Sequence, residues 1–199
     1  MRYVRTRLTR AESRQRTRDQ LIDSAAKVFA ERGYHATSVD EIAEDAGFSK
    51  GAVYANFPTK EQLFLAVMDR QQQLQQQSFQ AMADPEKPPS DAMAELAEVA
   101  APTDPEAWRF GLLTLEFFLY AVRQPELRAE LAERFETTRQ QLAASLEPHR
   151  AGQEKPALTA IDLAIIAVAA SYGLGVQAVL DHTAIPPDLY QRMMAKLLG

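Results

Sequence analysis

Two groups of residues in this chain have side chains that could work on a partner, and both suit a partner with negative charge. Residues 1–18 hold seven arginines (2, 5, 7, 10, 14, 16 and 18) against one acid, Glu12, a net of +6. Lys50 and Tyr54 then place two long donors four residues apart. Ammonium, guanidinium and phenol groups pair with phosphate oxygens, and Lys50 and Tyr54 are long enough to reach a guanine edge. The chain as a whole has 22 basic and 27 acidic side chains. Its excess is uneven: residues 1–70 carry +2 and residues 71–199 carry -7. A basic front on an acidic body points to an anionic partner met by the N-terminal part, nucleic acid or a membrane surface; a solvated tail is the alternative.

Other chemistries lack their parts. There is no cysteine, and His35, His149 and His182 are too scattered for a metal centre. No His/Ser/Asp set and no glycine-rich phosphate loop is present, so neither an enzyme nor a cofactor is expected. With 46% hydrophobic residues in 199, a packed core is within reach and disorder is excluded. The N-terminus has charges but no apolar stretch of a secretory signal, which fits a cytoplasmic protein. Leu163 to Leu180 runs without a charge for the minimum length of a spanning helix. Asp162 and Asp181 bracket it and it contains Ser171 and Gln177, so a buried helix is expected and no membrane partner.

The elements that must position the donors read as all-α, about nine helices. Leu21/Ile22, Ala25/Ala26 and Val28/Phe29 repeat at helical spacing up to Gly33. Ser38 and Glu41 form a capping box before Val39, Ile42, Ala43 and Ala46, and the stripe ends at Gly47. Ser49 can cap a third helix, with Phe48 stapled against Val53 and with Phe57 on the same side, until Pro58. Thr59 and Gln62 open a long helix that enters the glutamine-rich run 71–77. Residues 84–90 (DPEKPPS) read as a loop. Further helices are expected at about 91–101, 105–123, 126–147, 160–181 and 187–198, two of them opened by Asp104-Pro105 and Gln124-Pro125. The chain thus divides into a basic extension over 1–18 running into the first helix, a three-helix unit over 19–66, and a larger helical part over 67–199.

The second and third helices, joined by Ala46-Gly47-Phe48-Ser49, make a helix-turn-helix. With Val53 and Phe57 inward, Gly51 and Ala55 lie opposite and Ala52 and Tyr54 on the flanks, a small outward face that can come close to base edges. The run Gly33-Tyr34-His35-Ala36-Thr37-Ser38-Val39, then Ala46 to Tyr54 and Asn56 to Leu63, closely resembles the TetR/AcrR family of bacterial transcriptional regulators, over roughly residues 18–68. The resemblance implies that Thr37 and Ser38 meet a phosphate and that Ser49, Lys50, Gly51 and Ala52 face bases. It further implies that Tyr54 and the residue at 56 grip the backbone and that Lys60 binds a phosphate. Two departures stand out: position 56 is Asn56 where the family often has His or Tyr, and Asp40, Glu41, Glu44 and Asp45 make the second helix acidic. With few readers on the third helix, the arginine arm is expected to supply much of the affinity for DNA.

Beyond residue 70 the resemblance implies a helical domain for ligand binding and dimerisation. Trp108, Leu112, Leu115, Leu119 and Val122 share a stripe, with Phe110, Phe117, Phe118 and Tyr120 around it. Core packing is the ordinary reading. As a cluster, Met82, Met93, Trp108, Leu112 and Phe118 could line an apolar cavity for a small-molecule effector. Glu116 would there favour a cationic or hydroxyl-bearing ligand, or else pair with an arginine or Tyr120. Ile161, Ile165, Val168, Tyr172 and Val179 fall on one side of a helix that is apolar nearly all round, which a second copy would cover. The expected function is a homodimeric repressor on a near-palindromic double-stranded DNA operator, released by a small apolar ligand that shifts the helix beginning at Lys60. A ligand carrier, or an adaptor that uses the helix-turn-helix against protein, are the alternatives.

Overall fold

The computed structural model describes residues 9–82, 105–150 and 157–198, apart from 182, 184 and 187. Among them the chain forms eight α-helices and one short 3₁₀ turn, with no strand. It divides into two compact units, one ending at Gln71 and one beginning at Gln72. The helix expected over 91–101 lies outside the described residues.

The first unit holds α1 (Arg10–Arg32), α2 (Val39–Ala46), α3 (Lys50–Asn56) and the first half of α4 (Lys60–Met82). Leu21, Ala25 and Phe29 of α1, Ile42 of α2, Val53 of α3 and Leu63 to Leu65 of α4 are almost wholly removed from water. At its centre Phe64 packs edge-on against Phe29 and Tyr34, with ring centroids 5.1 and 5.3 Å away. Full burial of such side chains contributes about 1.5–3 kcal/mol each, enough to hold a short three-helix unit around one aromatic knot.

α1 begins inside the basic extension. Residues 10–18 are part of α1 itself, because Thr9 and Glu12 close a capping box: the Thr9 N–H donates to Glu12 Oε2 at 2.7 Å and the Glu12 N–H to Thr9 Oγ1 at 3.2 Å. Arg10, Arg14 and Arg18 therefore ride one face of the helix into which the basic extension runs.

The second unit contains α5 (Pro105–Ala121), α6 (Pro125–Leu146) with Pro125 in its first turn, α7 (Ala160–Leu180) and α8 (Leu189–Leu198). Thr159 and Asp162 cap α7 reciprocally. Leu142 and Leu146 of α6, Leu163, Ala164 and Ala167 of α7, and Tyr190 and Met194 of α8 form one core cluster. Tyr190 donates its hydroxyl to the Ala167 carbonyl at 3.2 Å, which satisfies the polar end of a buried ring. Beside this core Phe118, Phe135 and Tyr172 make a second aromatic group, with centroids 5.1 to 6.1 Å apart.

One sequence expectation about an inward face is corrected here, and another is tested in part. On α5 the stripe of Leu112, Leu119 and Val122 faces out, Leu119 at 72% exposure, while Leu113, Thr114, Phe117 and Ala121 are buried. On α7, expected to need a second copy to cover it, Leu163, Ala164, Ala167 and Gly175 are buried within the single chain, and Ile165, Val176, Val179 and Leu180 stay exposed. By length and composition α7 is also apolar enough to cross a bilayer. In the single chain it packs one face inward and leaves an apolar face outside.

Candidate nucleic-acid interface

The site is built on the junction between α2 and α3. Gly47 ends α2 with φ 72°, the left-handed conformation that a side chain rarely adopts, and the Phe48 N–H returns to the Ala43 carbonyl at 2.9 Å. The chain reverses in that space, and Ser49 starts α3 by accepting from the Ala52 N–H at 3.2 Å. Val53 is the buried residue of α3 and Phe57 follows it into the core. Lys50, Gly51, Tyr54 and Ala55 are left exposed, with Ala52 and Asn56 half-buried. The surface is a ridge of small residues flanked by two long donors, the shape that the sequence reading anticipated.

Gly51 leaves open space. A methyl group added there would meet only Ser49 Oγ, at 3.8 Å, an ordinary van der Waals distance. Packing within the protein therefore gives no reason for a glycine in this helix, where it lowers stability by about 0.8–1.0 kcal/mol relative to alanine. Close approach of another molecule's surface gives one.

Electrostatics resolve the acidic character of α2. Glu41 accepts from the Ser38 N–H at 2.8 Å and the Ser38 hydroxyl at 2.9 Å and pairs with Arg32, and these hydrogen bonds hold its carboxyl below the usual value. Asp45 pairs with Lys27 at 2.5 Å, which lowers the acid and raises the lysine. Asp40 faces Lys50, with Oδ2 2.7 Å from Nζ, and that hydrogen bond raises the Lys50 ammonium above its ordinary value. Three of the four carboxylates are thus neutralised by cations, and Glu44 remains exposed.

Several expected contact residues also have work inside the fold. Thr37 is 2% exposed and donates its hydroxyl to the Gly33 carbonyl at 2.7 Å, so this hydroxyl is turned away from any duplex on the surface. Ser38 is exposed, but its Oγ caps α2. Lys60 donates to the carbonyls of Tyr34 and Thr37 at 2.9 and 3.0 Å and lies over the Tyr34 ring. The Asn56 amide bonds back to the Ala52 carbonyl at 2.9 Å. Sequence reasoning missed two partners. Arg18 donates to the Asn56 carbonyl at 2.9 Å and stacks 4.1 Å from the Phe57 ring centroid, clamping α1 to the end of α3. Asp40 was read only as unwelcome charge; its spacing to Lys50 crosses a turn, where no helical periodicity reveals a pair.

Comparison with known proteins agrees with this geometry. Residues 21–67 match the family described as bacterial regulatory proteins, tetR family, and residues 89–199 match the BetI-type transcriptional repressor C-terminal family. The chain belongs to the TetR family. The HTH-type transcriptional activator FasR of Mycolicibacterium smegmatis is 49% identical over 57 residues, 29% of this chain and 26% of that protein. The chain thus aligns with about a quarter of that relative's length. Among solved structures, FadR from Bacillus subtilis in complex with stearoyl-CoA has the same fold, with TM-score 0.67, 21% identity, and coverage of 90% of this chain and 96% of that one. A transcriptional regulator from Saccharomonospora viridis in complex with choline gives TM-score 0.69 at 20% identity, covering 92% and 96%.

In the second unit of this TetR-family chain the structure describes three of the six expected pocket residues with their side chains, Leu112, Glu116 and Phe118. Met93 and the side chains of Met82 and Trp108 lie outside the described residues. Leu112 is 40% exposed, Glu116 is half-buried, and Phe118 packs on Phe135 and Tyr172. Tyr172, expected on the face toward a second copy, turns into that group, where burial pushes its hydroxyl up to about 12. Val168 packs on the core cluster and Ile161 is half-buried, so Ile165 and Val179 are the two residues of the expected stripe left exposed. Gln141 on α6 was not anticipated. Its Oε1 is buried and has no hydrogen-bond partner among the described residues, one turn from Thr138, which accepts from Gln72 at 3.0 Å.

Proposed function

We propose that this chain is a homodimeric repressor that binds a near-palindromic operator and leaves it when a small, largely apolar effector occupies the second unit. The observation that carries the DNA half is the outward face of α3: Lys50, Gly51, Tyr54 and Ala55 exposed on a helix anchored by Val53. Such a face fits a major groove, with Lys50 reading a base edge, Tyr54, Asn56 and Ser38 toward the backbone, and Arg10 and Arg14 extending the basic surface along α1. Two copies related by a two-fold axis would present this face to half-sites about 34–36 Å apart. The exposed apolar face of α7 supports a second copy, since Ile165, Val176, Val179 and Leu180 would otherwise remain in water.

The effector half is supported by the solved structures of the same fold that hold stearoyl-CoA and choline. Gln141 adds a chemical detail: a buried acceptor with no donor among the described residues suits an effector that brings an N–H or O–H. Effector binding would act on DNA through α4, whose residues belong to both units. A coupling of about 1–3 kcal/mol would change operator affinity about 5–150-fold. The protein acts by binding rather than turnover, in the cytoplasm where its operator lies.

The test is selection of bound sequences from a random duplex pool by the purified protein at near-physiological salt, followed by release of the recovered duplex with acyl-CoA and cationic small molecules. A near-palindrome released by one of them supports the repressor. An operator bound only when effector is added points instead to an activator, and no enriched sequence from folded protein points to a carrier or adaptor.

A further inference from the structure

Lys50 is the one long cation on the exposed ridge of α3, and a lysine in that place has an inherent weakness as a reader. Its ammonium is a compact charge on a flexible stem with three rotatable donors, and near any duplex it is drawn to the nearest phosphate whatever the sequence. In this structure it is not free to do so. Asp40 Oδ2 stands 2.7 Å from Nζ, with the two side chains 63% and 53% exposed, and the carboxylate comes from α2 rather than from the helix that carries the lysine. The Gly47 turn fixes the two helices against each other, so the position of the carboxylate is set by the fold.

We propose that Asp40 is a specificity-positioning residue: it holds the Lys50 ammonium over one base step and withholds it from phosphates. The inference rests on the reading of α3 as the DNA-facing helix. One N–H of the ammonium is taken by Asp40, leaving two for a guanine-type acceptor edge. The pair is neutral as a unit, so its attraction for the phosphate chain is cancelled, and only a base acceptor at the right place gains. An exposed ion pair of this kind contributes little to folding, which leaves fold stability a weak reason for it. The remaining acids of α2 do not share the role: Glu41 is engaged by Ser38 and Arg32, Asp45 by Lys27, and no bond from Glu44 to α3 is seen among the described residues.

The experiment measures binding of full-length wild type, Asp40→Asn, Asp40→Glu and Lys50→Ala to the selected duplex and to its single base-pair variants, with a thermal melt of each protein. Lys50→Ala identifies the base pair whose preference it erases. At that pair, Asp40→Asn is expected to cut discrimination about five-fold or more while tightening binding to scrambled DNA, with other positions unchanged and Asp40→Glu partly restoring it. A carboxylate that merely repels phosphates would change affinity for every duplex by one factor, and that result overturns the proposal. So does a Lys50→Ala protein that keeps every base preference. If wild type selects no duplex at all, the DNA reading of α3 fails first; if wild type is selective and Asp40→Asn is equally selective, only this inference fails.

Discussion

Lys60 Nζ donates to the Thr37 carbonyl at 3.0 Å and, in the same reach, to the Tyr34 carbonyl at 2.9 Å. The first residue of α4 thereby ties down the loop between α1 and α2. Charge-assisted hydrogen bonds of this kind contribute about 1.5–3 kcal/mol. Lys60→Ala is expected to lower the urea midpoint of the first unit and to weaken binding to all duplexes alike, with the preferred sequence unchanged. An unaltered midpoint would return Lys60 to a purely phosphate-binding role.

Gly51 separates fold from function. Because a methyl group there meets nothing closer than 3.8 Å, Gly51→Ala should stabilise the protein by about 0.5–1 kcal/mol through helix propensity. The same methyl group would stand between α3 and the base edges, and operator affinity should fall about five-fold or more, since a displaced base contact costs about 1–3 kcal/mol. Thermal melting and anisotropy titration on one preparation read both effects. A stabilised variant with full affinity would mean that the ridge does not approach DNA closely.

The pH dependence has a definite sign. Glu41, Glu12 and Asp45 all titrate below their ordinary values, Glu41 and Glu12 chiefly through backbone hydrogen bonds at helix caps and Asp45 through Lys27. A carboxyl depressed in the folded state gives stability that is complete above its unfolded value and is lost as pH falls through the folded one. The first unit should hold its stability down to about pH 4.5 and lose it progressively below. Glu41→Gln, which removes the charge but keeps a hydrogen-bonding side chain, should be less stable at pH 7 and show a shallower acid limb. Urea midpoints between pH 7 and 3 would show equal limbs if the cap made no contribution.

The uncovered face of α7 makes an association test direct. Ile165→Asp with Leu180→Asp places two charges where 47% and 81% of the native side chains meet water in the single chain. Sedimentation should show monomers for the variant and dimers for wild type, with the helical signal retained and operator binding lost. A monomeric wild type, or a dimeric variant, would move the interface elsewhere.

The first unit was legible because its signals are local. Ser38 and Glu41, Ser49, Gly47 and the pair Val53/Phe57 each fix a start, a stop or a face within four residues. The first turns of α1 open on the Thr9 and Glu12 capping box but carry no buried residue before Leu21, so apolar periodicity gives no sign of them. Thr37 was assigned outward by resemblance, yet its hydroxyl closes on Gly33, a contact that depends on how α1 ends. In the second unit periodicity had little to work with. α5 and α7 are apolar on most faces, so the stripe through Leu112 and Leu119 looked as buried as the one through Leu113 and Phe117, and only packing chose between them. Tyr172 went inward for the same reason, because Phe118 and Phe135, distant in sequence, offer it an aromatic group.

The seven residues of α3 hold one buried side chain, Val53, with Phe57 just beyond as a second anchor and Arg18 clamped to the Asn56 carbonyl. The four exposed positions 50, 51, 54 and 55 therefore form a cassette that evolution, or a library, can rewrite without renegotiating the fold. Regulators that diverge in target while keeping one scaffold need that separation, and in this chain it rests on Val53, Phe57 and the Arg18 clamp.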